Sequence, residues 1–237
     1  MTWSLIARDA SGALGIAIAS RFFAVGALCP YIRSGVGAVS TQALVNPTYG
    51  PGILDALEAG TTPEEAIRAV TAPDHGRASR QVHALRADGT SFAHTGGNCI
   101  DWCGHTAGAD HSVAGNMLAG PDVIAQTSRA YRDNAHLPFS ERLIEALAAG
   151  EAAGGDKRGK QAAALLIFTT EDYPALDIRV DDHEDPIGEL RRLHAKSLER
   201  FQPFSAFLPS KANPAGTIDR DLIEAGIARF HAARARP

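Results

Sequence analysis

The sequence predicts an α+β protein in which two sheets stack on each other and helices cover both outer sides. Three observations lead there. Several expected strands are apolar along their whole length, as a strand enclosed between two layers must be; Ala13, Leu14, Ile16, Ala17, Ile18 and Ala19 show this in the second strand, and 162–169 repeats it. The expected helices fall in pairs between groups of strands, which suits layers rather than alternating crossover units. The chain has 237 residues, 45% hydrophobic and 21% charged, enough to bury a sizeable core.

Residues 2–8 and 13–20 should pair as strands across Asp9-Ala-Ser-Gly12, a run with hairpin-turn chemistry. A third strand is expected over 36–43, after a loop containing Cys29-Pro30. Two short helices follow. The second has Thr62 as N-cap, Pro63 at its first position and Glu65 to close a capping box. Strands 81–86 and 90–94 flank Asp88-Gly89, a strong hairpin signal. The Gly-, Cys- and His-rich stretch 95–111 reads as an ordered loop, and 112–118 as a strand. Gly120-Pro121 opens a helix to 134, and a second helix over 139–152 carries Leu143, Ile144 and Leu147 on one face before Gly154-Gly155 stops it. Strands 162–169 and 176–180 come next. Asp185-Pro186 then starts a helix with Ile187, Leu190, Leu193, Leu198 and Phe201 at helical spacing. Residues 203–216 look irregular, and a last helix over 218–235 carries Leu222, Ile223, Ile227 and Phe230. The expected organisation is one domain over 1–202, with 203–237 as an extension whose helix packs on it.

Composition narrows the function. A formal charge of −4, from 27 acidic and 23 basic side chains, gives no basic excess for nucleic acid or an anionic membrane. The cationic run from Arg229 to Arg236 ends the last helix, where cations suit the macrodipole. No apolar stretch approaches the ~20 residues a membrane span needs. Arg8 and Asp9 interrupt the first apolar run too early for a signal peptide. Three cysteines make no disulfide framework. The expected location is the cytoplasm. No P-loop, dinucleotide fingerprint, G-x-S-x-G or H-E-x-x-H is present, so no cofactor is expected.

Chemistry gathers at the start of the chain. Methionine aminopeptidases remove Met when a small residue follows, and Thr2 follows Met1. Removal would leave Thr2 with its hydroxyl beside a free α-amine. An alcohol is a weak nucleophile, and an amine with a pKa near ~8 can take its proton.

The opening residues resemble the N-terminal nucleophile (Ntn) hydrolases, which include proteasome β-type subunits. Those enzymes begin with Thr, Ser or Cys on a first strand, followed by a hairpin and a second strand like Gly15-Ile-Ala-Ile-Ala-Ser20-Arg21. More closely, residues 2 to about 200 resemble a bacterial Ntn-hydrolase-like family, domain of unknown function 1028. The segments that carry this are Thr2-Trp-Ser-Leu-Ile-Ala-Arg-Asp9, Ala19-Ser-Arg-Phe-Phe-Ala-Val-Gly26, Gly115-Asn-Met-Leu-Ala-Gly120, Gly154-Gly-Asp-Lys-Arg-Gly-Lys-Gln161 and Arg179-Val-Asp-Asp-His183. The resemblance implies a four-layer αββα fold. It implies no substrate, and proteolysis does not carry over, because no proteasome-like motif follows the opening strands.

The resemblance puts Ser20 and Arg21 where Ntn enzymes orient the nucleophile. It also implies that amides of the third strand, at Thr41 and Gln42, hold the oxyanion, with Asn116 as a second donor position. Such donors stabilise charge that develops only in the transition state. In the Gly frame of 154–161, Asp156 and Lys157 are expected to orient the nucleophile, and Arg158 to clamp a carboxylate in a bidentate way. Gln42, Asn46 and Arg158 are the candidate substrate-binding residues. Cys99, Cys103 and His105, with His94 and His111 nearby, lack zinc-knuckle spacing, and a tight turn with Trp102 packed down is expected instead. Asp181, Asp182 and His183 are the candidate ligands should a metal bind, although acids also suit the helix start that follows. The expected function is an amidohydrolase cleaving a small amide or related C–N bond, with an anionic substrate one expectation from the charged 156–158 loop. The alternatives are a non-catalytic Ntn-fold protein that binds a small ligand or acts as an assembly partner, and a metal-dependent hydrolase using 181–185. Relatives of this fold often assemble, so a homo-oligomer is expected by analogy.

Overall fold

The structure is a computed structural model that describes residues 2–235. Met1 and Arg236, the last cation of the C-terminal run, lie outside the described residues. The chain divides into two compact units, Met1–Leu190 and Arg191–Pro237. The division falls inside a helix rather than near 202, where the irregular composition begins.

The first unit holds two antiparallel sheets. The larger has six strands in the order β10-β9-β2-β1-β8-β7: β1 Thr2–Arg8, β2 Leu14–Ser20, β7 Gly104–Ala107, β8 His111–Asn116, β9 Ala162–Phe168 and β10 Leu176–Val180. The smaller runs β3-β4-β5-β6: β3 Pro30–Arg33, β4 Gly37–Ala43, β5 Arg80–Arg86 and β6 Ser91–Thr95. β2 matches its apolar sequence with burial at all seven positions, and β8 is buried at all six although His111, Ser112 and Asn116 are polar.

Strand alternation sends successive residues to opposite faces. From the larger sheet, Ile6, Leu14 and Ile16 form one apolar cluster with Ala38 and Leu85 of the smaller. Their neighbours Val39, Val82 and Ala84 point the other way, into a cluster with Ile53, Leu54, Leu57, Ala66 and Ile67. Those last five belong to α2, Tyr49–Glu58, and α3, Pro63–Thr71. The capping box at Thr62 and Glu65 forms as the sequence predicts. On the other side of the larger sheet, Gly15 admits Leu143 and Phe139 of α5, Phe139–Ala152, and Gly115 admits Ile124 of α4, Asp122–Asp133. A short helix, Val25–Leu28, is α1.

Pro186–Ser197 forms α6, which carries the unit boundary. The second unit contains α7, Phe201–Ser205, and α8, Arg220–Arg234. Asp219 caps α8 by accepting from the amides of Asp221 and Leu222. Arg200 donates to both carboxylate oxygens of Glu224, at 3.1 and 2.6 Å.

Besides the short α1, several elements depart from the sequence reading. Pro30–Arg33, expected as loop, is an edge strand that starts on its proline, where the missing N–H costs least. Gly104–Ala107, inside the expected loop 95–111, pairs with β8 as the opposite sheet's edge. Both are four residues long and have no fully buried position, so their composition carries no strand signal. Phe201–Ser205 is helical where irregular chain was expected to begin at 203.

At Gly150 of α5, a side chain would run into Thr127 Oγ1, the Trp3 indole nitrogen and the Val123 carbonyl. Gly150→Ala is expected to cost about 1–3 kcal/mol by overpacking. The urea midpoint should fall at unchanged slope, while Gly97→Ala, where open space surrounds the position, should leave it unchanged.

Candidate active site

One end of the larger sheet collects the chemistry the sequence singles out. Thr2 opens β1 and stands between Ser20, the last residue of β2, and Asn116, the last of β8. All three are buried. The Thr2 and Ser20 hydroxyl oxygens are 3.0 Å apart. The 156–158 loop reaches the same end. Asp156 bridges to Leu118, just after β8, and its carboxylate accepts from the Arg21 amide at 2.8 Å, just after β2. It also accepts from the Arg158 amide at 2.8 Å and from the Arg158 guanidinium at 3.2 Å. Arg21 donates in turn to the Arg158 carbonyl at 2.6 Å. Gly154 and Gly155, with φ of 113° and 49°, give the left-handed turn that delivers Asp156 from the end of α5. Asp156 is thus the tie between two strand ends and the loop, with a side chain only 2% exposed.

A chain of neutral hydrogen bonds crosses from this end into the smaller sheet. The Gln81 side-chain oxygen accepts from Asn116 at 3.0 Å and from Gln42 at 2.8 Å. The Gln81 nitrogen donates to the Gly115 carbonyl at 2.9 Å and to the Thr95 hydroxyl at 2.9 Å. Ser4 donates to the Gln42 oxygen at 2.8 Å, so its lone pairs face His83 Nε2, also at 2.8 Å. His83 therefore carries its proton on Nε2, and Nδ1 accepts from Ser112 at 2.9 Å. Burial, with a smaller contribution from His105, pushes the His83 pKa down to about 3, so the ring is neutral. Ser4, Gln81, His83 and Ser112 escaped the sequence reading. Their signal was present as a polar residue at every second position of otherwise apolar strands, in Gln81-Val-His83 and in Trp3-Ser-Leu5.

Other expected site residues go elsewhere. The Thr41 amide, expected as an oxyanion donor, donates to the carbonyl of Cys29, the residue before β3, at 3.0 Å. The Thr41 hydroxyl bonds the Asn46 carbonyl. Asn46 spends its side-chain oxygen on the Thr48 amide and hydroxyl, forming the turn into α2. The Lys157 ammonium donates to the Asp101 carbonyl at 2.6 Å. Asp182 accepts from Gln161, His183 Nδ1 accepts from the Asp185 amide, and Asp185 accepts from the Gly188 amide in the first turn of α6. Among the described residues no three His, Cys, Asp or Glu side chains converge as metal ligands. Cys99 and Cys103 are free thiols bonded to the carbonyls of Arg80 and Cys99. The Trp102 ring does pack down, over Gly104.

Beside Asn116 opens a cavity of about 300 Å³, walled by Ala43 at the end of β4 and Leu44 after it, Cys99 and Ile100, and Met117 after β8. Its size lies at the lower end for small-molecule sites.

Two outcomes follow. Asp156→Asn turns one acceptor oxygen into a donor and strands a buried amide, so stability should fall by about 1–3 kcal/mol, with faster hydrogen exchange at 157–160. His83 stays neutral when folded but protonates near pH 6.5 when unfolded, so the unfolded state binds more protons below that pH. Stability should drop as pH falls from 6.5 toward 3, by about 2 kcal/mol at pH 5 from this residue. His83→Gln should flatten that acid limb in urea titrations at pH 7.5 and 5.

The sequence profile of the family described as "Family of unknown function (DUF1028)" matches residues 2–190. The crystal structure of protein SPO2555 from Silicibacter pomeroyi, a DUF1028 protein, superposes with a TM-score of 0.86 and 31% identity, over 92% of this chain and 96% of that one. Anbu (ancestral beta-subunit) from Yersinia bercovieri is a distant neighbour, with a TM-score of 0.39 and 12% identity over 83% and 94% of the two chains. No functionally curated protein matches. The match along 2–190 and the similarity to SPO2555 together place the chain in the DUF1028 family.

Proposed function

We propose that the protein is an Ntn-type amidohydrolase with the four-layer αββα arrangement of that superfamily, and that it cleaves a small amide or related C–N bond with Thr2 after Met1 is removed. The observation that carries this reading is Thr2 itself. It sits at the buried head of a central strand, 3.0 Å from the Ser20 hydroxyl and flanked by Asn116.

In this mechanism Thr2 Oγ1 forms a bond to the substrate carbonyl carbon while its proton passes to the Thr2 α-amine. An α-amine with a pKa near ~8 is largely able to accept and return a proton close to neutral pH. The tetrahedral intermediate carries negative charge on the former carbonyl oxygen. Asn116 donates one side-chain hydrogen to Gln81, and the second remains for that oxygen. The intermediate collapses by breaking the C–N bond, and the α-ammonium gives its proton to the departing amine. Water, deprotonated by the same amine, then attacks the Thr2 ester; the bond to Oγ1 breaks, the ammonium returns its proton to Oγ1, and the carboxylic acid leaves. Ser20 positions Oγ1 throughout, and Asp156 keeps Ser20–Arg21 in place by holding the Arg21 amide.

Protein lacking Met1 and any tag should hydrolyse at least one member of a broad primary and secondary amide panel. Thr2→Ala should lower kcat by at least about 10³-fold, as loss of a covalent nucleophile does, while Thr2→Ser keeps measurable turnover. Full turnover by Thr2→Ala would contradict the assignment.

A further inference from the structure

The cavity beside Asn116 has two features the fold does not require. Among the described residues, three non-glycine residues take the left-handed backbone region, and two of them, Ala43 (φ 69°) and Met117 (φ 53°), line this cavity. Side chains rarely tolerate that conformation, and such strain persists where the surroundings hold it, often at ligand sites. Here the residues beyond hold it: the Leu44 amide bonds the Ser79 carbonyl at 3.1 Å, and the Met117 amide bonds the Ile100 carbonyl at 2.7 Å. The two turns end β4 and β8 together and leave the space between them. Second, Leu44 and Ile100 at this cavity are 63% and 56% exposed, an arrangement unfavourable in water.

The wall carries no formal charge. Ser79, Asn98 and Asn116 are its polar side chains, and Cys99 is a neutral thiol, its pKa raised by burial. Three cations near the wall, Arg80, Lys157 and Arg158, already hold other groups. Arg80 pairs with Asp74 at 3.0 Å and donates to the Leu44 carbonyl. Lys157 is on the Asp101 carbonyl, and Arg158 is on Asp156. A carboxylate entering here would lose water and meet no charged side chain in the wall. An alkyl chain would bury itself against Leu44, Ile100 and Met117.

Building on the proposed hydrolase, we infer that this cavity receives an uncharged aliphatic acyl chain, so that the substrates are neutral alkanamides rather than amides bearing a second carboxylate. This replaces the anionic substrate expected from the charged 156–158 loop.

The test uses Met-free Thr2→Ala protein, which binds without turnover, and a matched pair of probes. Pentanamide and glutaramate have the same carbon count and differ by a methyl against a carboxylate. Pentanamide should bind at least about tenfold more tightly by ligand-observed NMR titration. Ile100→Lys, at an exposed position, should weaken pentanamide and strengthen glutaramate. Equal or tighter glutaramate binding, no pentanamide binding, or indifference of pentanamide to Ile100→Lys would each overturn the inference. The preference is read without catalysis, so it stands or falls separately from hydrolysis by Met-free wild-type protein.

Discussion

The side-chain oxygen of Gln81 accepts two amides at once, from Asn116 of the larger sheet and Gln42 of the smaller, and the site depends on that joint. A buried amide left unpaired is costly, so each member of the chain fixes the next. Asn116 can point only where Gln81 holds it, and Gln81 is held in turn by Thr95 and the Gly115 carbonyl. Ser4 and His83 extend the same logic, each hydroxyl or ring nitrogen having one consistent donor direction. The polar row stays uncharged, which is the form a space between apolar sheets tolerates. The end of β8 beside Thr2 is therefore rigid without any ion pair behind it.

The second constraint is the Asp156 carboxylate, and it works by backbone rather than charge. Its shortest bonds are to the amides of Arg21 and Arg158, and the guanidinium contact is the longer one. The loop that looked like a cationic clamp in sequence is thus a fastener. It fixes the exit of β2, where Ser20 meets Thr2, and it pairs the Arg158 guanidinium with Asp156.

Apolar runs made β2 and β9 legible, because a strand enclosed between layers leaves few polar positions to confuse its reading. Helix starts were legible where capping chemistry is local, as at Thr62 and Glu65. The edge strands at 30–33 and 104–107 were not, since a short edge buries little and its sequence is free to vary. The Thr2, Ser20, Asn116 and Asp156 grouping was anticipated from family resemblance and from the head of the chain. The Gln81–His83 row was not, although its alternation was visible, because a polar residue inside a strand normally marks a solvent face. Here it marks the inner one. The partner of the Thr41 amide was hidden for a related reason: it is the carbonyl of Cys29, the residue before the unforeseen edge strand β3.

Every chemical step assigned to Thr2 needs its amine free. The intact mass of the protein expressed without any tag tests this most directly. The account predicts a mass lighter by one methionine, with threonine at the amino terminus. A homogeneous population that keeps Met1 would contradict it, and would leave Thr2 as a strand residue held by Ser20.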